Sequence, residues 1–186
     1  MSPSSDAELI KRFQEGDEAA FNELILRYQE KIYWLARRFS NDHDTADEIV
    51  QEVFVKVYEA LKGFRGESGF YTWLYRITVN ASLNAVRKRR LRDFFRIDDV
   101  FELPDTRDAM PDENVEKEEQ RLLIEQAIEQ LPEKQKAVFV LRYYDELSYE
   151  EIAAILKTSV GGLKANYFHA VKKIGEFLKR AHATRT

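Results

Sequence analysis

Apolar residues recur at steps of three and four along most of the chain, which is the spacing of one face of an α-helix. No segment alternates apolar and polar residues as a half-buried strand does, and no Asn-Gly hairpin turn occurs. We therefore predict an all-α protein. The clearest apolar stripe begins after Asp17 and contains Phe21, Leu24, Ile25, Tyr28, Ile32 and Leu35.

Residues that start and stop helices divide the first half of the chain into four predicted helices. One is expected over about 6–14, and a longer one starts at Asp17. Asp44 is expected to cap the third helix, which stops at Gly63, because an aspartate side chain can accept from free backbone N–H groups at a helix start. The fourth helix is expected to start at Phe70.

Charge divides the chain into three segments. Residues 1–92 carry a net charge of +1, residues 93–118 carry −7, and residues 119–186 carry +2. The helical spacing fades in the middle segment, where Pro104 and Pro111 interrupt it. We therefore predict two small helical domains joined by an acidic linker.

Composition limits the class of protein. Cysteine is absent, which excludes disulfides, thiolate metal sites and a cysteine nucleophile. The first sixteen residues lack the apolar core of a secretory signal, and no apolar run approaches the ~20 residues of a membrane span. We expect a soluble, cytoplasmic protein with no membrane insertion of this chain.

The second domain contains a predicted helix-turn-helix. Ser148 and Glu151 form a capping box at the start of a short helix, and a tight turn at "KTS" leads into a basic helix. The second helix of such a motif enters the major groove of DNA, although a helical hairpin with a solvated lysine face remains the alternative. A helical wheel places these residues on its outer side: Gly162, Ala165, Asn166, Phe168, His169, Lys172 and Lys173.

The helix that starts at Phe70 is apolar on two sides and has one narrow polar stripe. We number the four predicted helices of the first half α1 to α4 in chain order, and name Arg76, Asn80 and Arg87 the α4 stripe; Trp73 and Asn84 border it. Arginine pairs with phosphates, asparagine presents an amide to a base edge, and tryptophan stacks on an unpaired base. An ordinary buried helix with incidental polar residues is the alternative. Further candidate contacts lie in the preceding glycine-containing loop and the closing "RKRR" cluster: Phe64, Arg65, Gly66, Ser68 and Arg90.

Four segments taken together resemble the bacterial extracytoplasmic-function (ECF) sigma factors, in the order that family uses. They are "GDEAAFNELILRYQEKIY", "DTADEIVQEVFVKVYEAL", "FRGESGFYTWLYRITVN" and "LPEKQKAVFVLRYYDELSYEEIAAIL…SVGGLKANYFHAVKKI". The resemblance implies a dissociable subunit of RNA polymerase. Its expected partners are core polymerase, through the beta-prime clamp helices and the beta subunit, promoter DNA and an anti-sigma factor.

The resemblance also assigns roles to the segments. Domain 1–92 would be region 2, which docks on core polymerase and recognises and melts the −10 element, and domain 119–186 would be region 4, which recognises the −35 element. Linker 93–118 would run toward the RNA exit path. The implied docking residues, which we name the α3 face, are Asp47, Glu48, Gln51 and Glu52.

Individual DNA contacts also follow from the resemblance. The loop after Phe64 would receive a flipped base, and Asn80 and Asn84 match positions of the −10 surface. The matched −35 positions are Lys164, Ala165, Phe168 and His169.

The chain departs from the family pattern in the helix-turn-helix. Lys157 and Thr158 stand where glycine and an apolar residue are frequent, and His169 stands where arginine is frequent. Gly162, Ala165 and Asn166 replace the frequent threonine, serine and arginine. The −35 sequence therefore does not follow from the resemblance.

Two other classes of protein are weaker. His43 and Asp44 are adjacent as in metal phosphohydrolases, but the other histidines lie far away in the sequence and no phosphate-binding loop occurs, so we expect no enzyme, catalytic residue, metal or cofactor. A free-standing helix-turn-helix regulator is the nearer alternative. It would explain 119–186 and leave the first domain's aromatic helix and acidic face unexplained.

Overall fold

The computed structural model describes residues 4–95 and 115–183. Within these residues every regular element is an α-helix, which confirms the predicted fold class. In chain order the helices are α1 Asp6–Gln14, α2 Glu18–Ser40, α3 His43–Leu61, α4 Phe70–Phe95, α5 Val115–Glu129, α6 Glu133–Tyr143, α7 Tyr149–Leu156 and α8 Val160–Ala183.

Side-chain caps fix where the first helices begin. The Asp17 carboxylate accepts from the backbone N–H of Ala19 at 3.0 Å and starts α2, as predicted. The prediction that Asp44 caps α3 is wrong. Asp42 is the cap, because its carboxylate accepts from the backbone N–H of Thr45 at 2.8 Å, and Asp44 lies in the first turn. Hydrogen bonds from the side chain and from the backbone N–H of Thr45 lower the pKa of Asp42.

Helices α2, α3 and α4 pack on one another, and α1 packs on α2. Their apolar faces form the core that the helical spacing predicted, and each face is shielded almost completely from solvent. Burial of this kind is the main favourable term in folding. The most deeply buried members are Leu24, Ile32, Leu35, Phe39, Ile49, Leu61 and Leu74.

The second group of helices, α5 to α8, does not have a wholly separate core. Helix α6 packs on α2, and α7 packs on α4. Buried residues of α6 and α7, including Val138, Leu141 and Ile152, belong to the same apolar cluster as the core of α1 to α4. A smaller cluster around Ile128 and Phe139 joins α5, α6 and α8. The two predicted groups of helices are therefore packed together in the structure.

Most of the predicted acidic linker, residues 96–114, lies outside the described residues. Helix α4 extends to Phe95, past the expected domain end at 92, and α5 begins at Val115, before the expected start at 119. The domain boundaries stay predictions. No helix in the described part of the chain has the length and apolar character needed to cross a membrane.

Candidate nucleic-acid interface

Helices α7 and α8 form the predicted helix-turn-helix. The Ser148 hydroxyl accepts from the backbone N–H of Glu151 at 3.2 Å, and the Glu151 carboxylate accepts from the backbone N–H of Ser148 at 2.8 Å, which confirms the capping box. Helix α7 ends at Leu156, and the residue that follows, Lys157, has a left-handed φ of 51°. The Ser159 hydroxyl then accepts from the backbone N–H of Gly162 at 3.2 Å, in the first turn of α8.

Helix α8 is buried on one side and exposed on the other. Leu163, Ala170 and Ile174 face the core, and α8 packs on α5, α6 and α7. Phe168 is 65% exposed, although it is a large apolar residue. We name the exposed members of the predicted DNA-facing set the α8 face: Lys164, Ala165, Phe168, His169, Lys172 and Lys173.

The other two predicted members of that set are only partly accessible. Gly162 and Asn166 are half-buried, and the Asn166 side-chain amide donates to the Gly162 carbonyl oxygen at 2.9 Å. A Cβ atom at Gly162 would lie 3.2 Å from the Ser159 hydroxyl oxygen, so the glycine makes room for the serine that caps the helix. Their assignment as DNA contacts stays a prediction.

The loop before α4 is built around an aromatic cluster. The ring centroids of Phe64 and Trp73 are 4.9 Å apart, and those of Phe70 and Trp73 are 5.9 Å apart. Gly66 has a φ of +71°, which favours glycine, and Arg65 and Gly66 are exposed. Ser68 is half-buried in the same loop. The loop thus presents polar backbone and side chains beside half-buried aromatic rings.

The polar side chains of α4 differ in solvent exposure and in their hydrogen-bond partners. Asn80 and Asn84 are both exposed, as the predicted stripe requires. Arg87 donates from Nη1 to the side-chain oxygen of Asn84 at 3.1 Å. The two asparagines lie one helical turn apart, so both side-chain amides can contact one extended nucleic-acid strand.

The arginines of α4 contact the second group of helices. Arg76 donates from Nε to the carbonyl oxygen of Ile155 at 3.0 Å and from Nη2 to that of Ala154 at 2.7 Å. Arg87 donates from Nε and Nη2 to the two carboxylate oxygens of Glu133, at 3.0 and 2.6 Å. This bidentate pair lowers the pKa of Glu133 and raises that of Arg87.

Arg90 is held in the same way. Its Nη2 atom donates to the carbonyl oxygens of Glu129, in the last turn of α5, and of Leu131, the latter at 3.3 Å. The sequence predicted arginines available to a nucleic-acid strand. In the structure, Arg76, Arg87 and Arg90 instead donate to oxygen atoms of α5, α6, α7 and the turn after α5.

The α3 face is exposed at all four of its residues, Asp47, Glu48, Gln51 and Glu52. Glu52 also pairs with Lys56 one turn further along the helix. The opposite side of α3 is buried, and α3 packs on α2 and α4. The face is therefore an exposed acidic surface, and its Glu48 and Glu52 line one groove together with Asn84 of α4.

Sequence reasoning missed three charged residues between the two groups of helices. Arg38 of α2 pairs with Asp145, and its guanidinium lies 5.0 Å from the centroid of the Tyr144 ring. Burial raises the pKa of Asp145, although Arg38 opposes that shift. Lys136 is 2% exposed and donates from Nζ to the carbonyl oxygen of Phe39 at 2.7 Å.

The pKa of Lys136 is lowered to about 8, mainly because burial disfavours the charged form. One signal in the sequence points to this burial: Lys136 lies one helical turn before Val140, on the apolar side of α6. Its hydrogen-bond partner is a backbone carbonyl oxygen, so the partner could not be predicted from residue types.

An exposed cationic face on the second helix of a helix-turn-helix is typical of DNA-binding proteins. The profile of sigma-70 region 2 matches residues 24–92, and that of sigma-70 region 4 matches residues 121–174. The chain is 37% identical to the RNA polymerase sigma-H factor of Pseudomonas aeruginosa, over 96% of both chains. It is 40% identical to the ECF RNA polymerase sigma-E factor of Escherichia coli, over 91% of this chain and 92% of that one.

A solved structure shares the fold. It is the sigma factor RpoE of Bartonella quintana in complex with the anti-sigma factor NepR, with a TM-score of 0.61 and 24% identity over 86% of this chain and 96% of that one. The chain belongs to the ECF family of sigma-70 factors. The resemblance is thereby confirmed, the function is that of a sigma factor in transcription initiation, and a free-standing regulator is not favoured.

Proposed function

We propose that this ECF sigma factor binds core RNA polymerase through the α3 face, reads −35 duplex with the α8 face, and holds the single-stranded −10 element on α4 and its preceding loop. Residues 1–92 and 119–186 would be the two promoter-reading domains, with 93–118 as their linker. The observation that carries the proposal is the α8 face, because it combines exposed cations with an exposed aromatic residue on the second helix of a helix-turn-helix.

The composition of the α8 face suits duplex DNA. Lys164, Lys172 and Lys173 supply cations for phosphates, which position the helix without reading sequence. Ala165 and Phe168 offer apolar surface for a thymine methyl group in the major groove. Sequence preference would therefore depend more on Phe168 and Ala165 than on the lysines.

The surface of α4 suits an unpaired strand. Asn80 and Asn84 present amides at one helical turn, and Phe64 and Trp73 place aromatic rings at the edge of the preceding loop. Extracting a base from the duplex costs a few kcal/mol, which a base pocket and stacking contacts offset. Binding the unpaired strand would thus favour promoter opening.

An exposed acidic helix face is suited to a basic or polar partner helix, which supports core docking through α3. Glu48→Lys should weaken core binding, because it reverses the charge within the α3 face. Glu59→Lys is the matched control, since Glu59 is also exposed on α3 but lies three turns away. The measurement is the affinity for core polymerase. Equal effects of the two changes would remove the α3 face from the proposal.

Three further features complete the proposal. The protein performs no bond chemistry and needs no cofactor, because its work is binding. It acts in the cytoplasm, where core polymerase is found. An anti-sigma factor binds it and masks its polymerase- and DNA-binding surfaces, which is supported by the complex of the Bartonella quintana relative with NepR.

Transcription in vitro with core polymerase and a fragmented genomic library tests the whole proposal. Transcripts should start downstream of a shared two-element promoter. Failure to start at any shared promoter would sink the proposal, whatever the binding data show.

Asn80→Ala tests the −10 surface. It should weaken open-complex formation while core binding stays intact, because Asn80 is exposed on α4 and exposed substitutions usually change stability little. Asn22→Ala, at an exposed position of α2, is the control. Loss of core binding in Asn80→Ala would show that α4 has been assigned the wrong partner.

A further inference from the structure

We infer that a cavity between α2, α4, α5 and α6 is a binding site for a small phosphate-bearing ligand, whose phosphate group would be held by Lys136, Arg89 and Arg90. The cavity has a volume of about 300 Å³, and Phe39 and Ser40 line it at the end of α2. The inference is independent of the proposed function, because it involves neither polymerase nor DNA.

Two helix ends bring the cations of this cavity together. The last carbonyl oxygens of a helix carry the negative end of its dipole. At the end of α2, Arg89 donates from Nη1 to the carbonyl oxygen of Ser40 at 3.2 Å, and Lys136 donates from Nζ to that of Phe39 at 2.7 Å. Arg90 reaches the end of α5 in the same way. Capping therefore explains why the cations gather, and the case for a ligand rests on their remaining donors and charge.

Lys136 has more donors than the cap uses. An ammonium group carries three N–H donors, and among the described residues the carbonyl oxygen of Phe39 is the one acceptor that Lys136 bonds. The side chain is 2% exposed, and buried donors are nearly always paired in proteins. Because Lys136 lines the cavity, an acceptor placed inside it would complete these hydrogen bonds.

The charge on the cavity wall favours an anion. Lys136, Arg89 and Arg90 are three cations and Glu129 is the one carboxylate among the described lining residues, which gives a net charge of +2. Burial lowers the pKa of Lys136 most, repulsion from the two guanidiniums lowers it further, and Glu129 raises it. A phosphate monoester carries a charge of about −2 near neutral pH, so it would offset the excess of positive charge.

The size and the other lining residues indicate what the phosphate is attached to. Small-molecule sites usually have volumes of about 300 to 1,000 Å³, so this cavity holds a ligand of modest size. Gln126 and Gln130 present amides at its exposed rim, and Val86 and Phe39 supply apolar surface. This lining suits a sugar phosphate or a nucleoside monophosphate, with the phosphate at Lys136 and hydroxyl groups at the amides.

Binding at this site is coupled to the packing of the helices. The walls come from α2 and α4 in one group and from α5 and α6 in the other, so the complete cavity exists while the two groups are packed. A ligand that binds only this arrangement stabilises it in proportion to the logarithm of its concentration. The concentration of a phosphate compound would thereby affect how firmly the two groups hold together.

Titration calorimetry of the full chain at pH 7 tests the site. Ribose 5-phosphate, adenosine monophosphate and inorganic phosphate are separate probes, and ribose and adenosine are their uncharged controls. Ionic strength is held constant with sodium chloride, because exposed cations attract any anion weakly. We expect the three phosphate compounds to bind and to raise the midpoint of urea unfolding, and the two uncharged compounds to do neither. Equal affinities for the three would support the site and assign its recognition to the phosphate group alone.

Two substitutions place the phosphate in the cavity. Lys136→Met should weaken binding at least tenfold, because it removes charge-assisted hydrogen bonds, although it also removes a buried charge that opposes folding. Lys134→Met, at an exposed position of α6, is its control. Glu129→Gln should strengthen binding about tenfold, because it removes a carboxylate that repels the anion. Glu30→Gln, at an exposed position of α2 ten residues before Ser40, should leave the affinity unchanged.

Several results would overturn the inference. One is the absence of binding by all three phosphate compounds at concentrations up to about 10 mM. Another is an equal loss of affinity in Lys134→Met and Lys136→Met, which would mean that exposed lysines attract the anion. A third is an affinity in Glu129→Gln that is no higher than in Glu30→Gln. This last comparison holds even if Lys136→Met does not fold.

Discussion

Lys136 provides a quantitative test of the packing between the two groups of helices. Its pKa falls from 10.5 to about 8, because its ammonium group is buried against the end of α2. Glu129 raises the pKa, and Arg90 and Arg89 lower it, so burial remains the main cause. At about 1.4 kcal/mol per pKa unit, keeping this lysine charged in the folded protein costs about 3 kcal/mol at pH 7.

The sign of the pH dependence follows from proton uptake. The folded pKa lies below the unfolded value, so between pH 8 and about 10.5 the unfolded chain binds more protons at this residue. Stability contributed by Lys136 therefore rises with pH across that window. Below pH 8 the cost is constant, because the lysine is protonated in both states. About 2 kcal/mol should be recovered between pH 8 and pH 10.

The perturbation is Lys136→Met, which fills similar volume without a titrating group. Urea unfolding of wild type and variant at several pH values from 7 to 10 gives the free energy of unfolding of each. The wild type should gain about 2 kcal/mol relative to Lys136→Met over that range. Other titrating groups cancel, because both proteins carry them. The hydrogen bond to Phe39 adds a nearly constant offset, since a neutral amine still donates.

Lys134→Met is the matched control, because Lys134 is exposed on the same helix. Its stability should follow the wild type at every pH. Parallel profiles for wild type and Lys136→Met would refute the reasoning, since they would mean that Lys136 is solvated and that α6 does not rest on the end of α2. A fall in wild-type stability relative to the variant, as pH rises, would contradict the sign.

Two more outcomes follow from the helix-turn-helix. Ser148→Ala removes the cap of α7 and should lower the free energy of unfolding by about 1 kcal/mol, as measured by urea unfolding. An unchanged free energy of unfolding would mean that the capping box is not formed in solution. Phe168→Ala should weaken −35 duplex binding by about tenfold and change stability by less than about 0.5 kcal/mol, because the side chain is mostly exposed. Equal duplex affinity for wild type and variant would exclude Phe168 from the interface.

Helix positions and the exposed faces could be predicted from sequence because both depend on local spacing. The α8 face follows from the helical spacing of Leu163, Ala170 and Ile174, which leaves the charged residues on the other side. The capping box of α7 is a pattern of two side chains, Ser148 and Glu151, at a fixed separation. The cap of α3 was assigned to the wrong residue for a local reason too. Asp42 and Asp44 are both aspartates and lie two positions apart, so either side chain could cap the helix. The backbone at Asp42 is extended, as at an N-cap, whereas Asp44 already lies in the first turn of α3.

The partners of the α4 arginines could not be predicted in the same way. The helical wheel of α4 showed two apolar sides, so a second helix had to pack on α4. It did not identify that helix as α7. Arg76 donates to backbone carbonyl oxygens, which every residue carries, so no residue type in α7 marks the pair. Contacts of this kind depend on how two helices lie together, and that depends on the whole apolar cluster.

The distribution of apolar and polar contacts between the two groups of helices determines what can separate them. Arg87 and Glu133 form a partly exposed pair, and such pairs contribute at most about 1 kcal/mol. Tyr75 of α4 is buried in the same cluster as Ile152 and Ile155 of α7, so apolar burial contributes more to holding α4 and α7 together than the arginines do. The phosphates of a DNA strand can replace the oxygen acceptors of Arg76 and Arg87. They have no apolar surface that could bury Tyr75. A protein surface can offer both, so these contacts are better suited to separation by a protein partner than by a DNA strand.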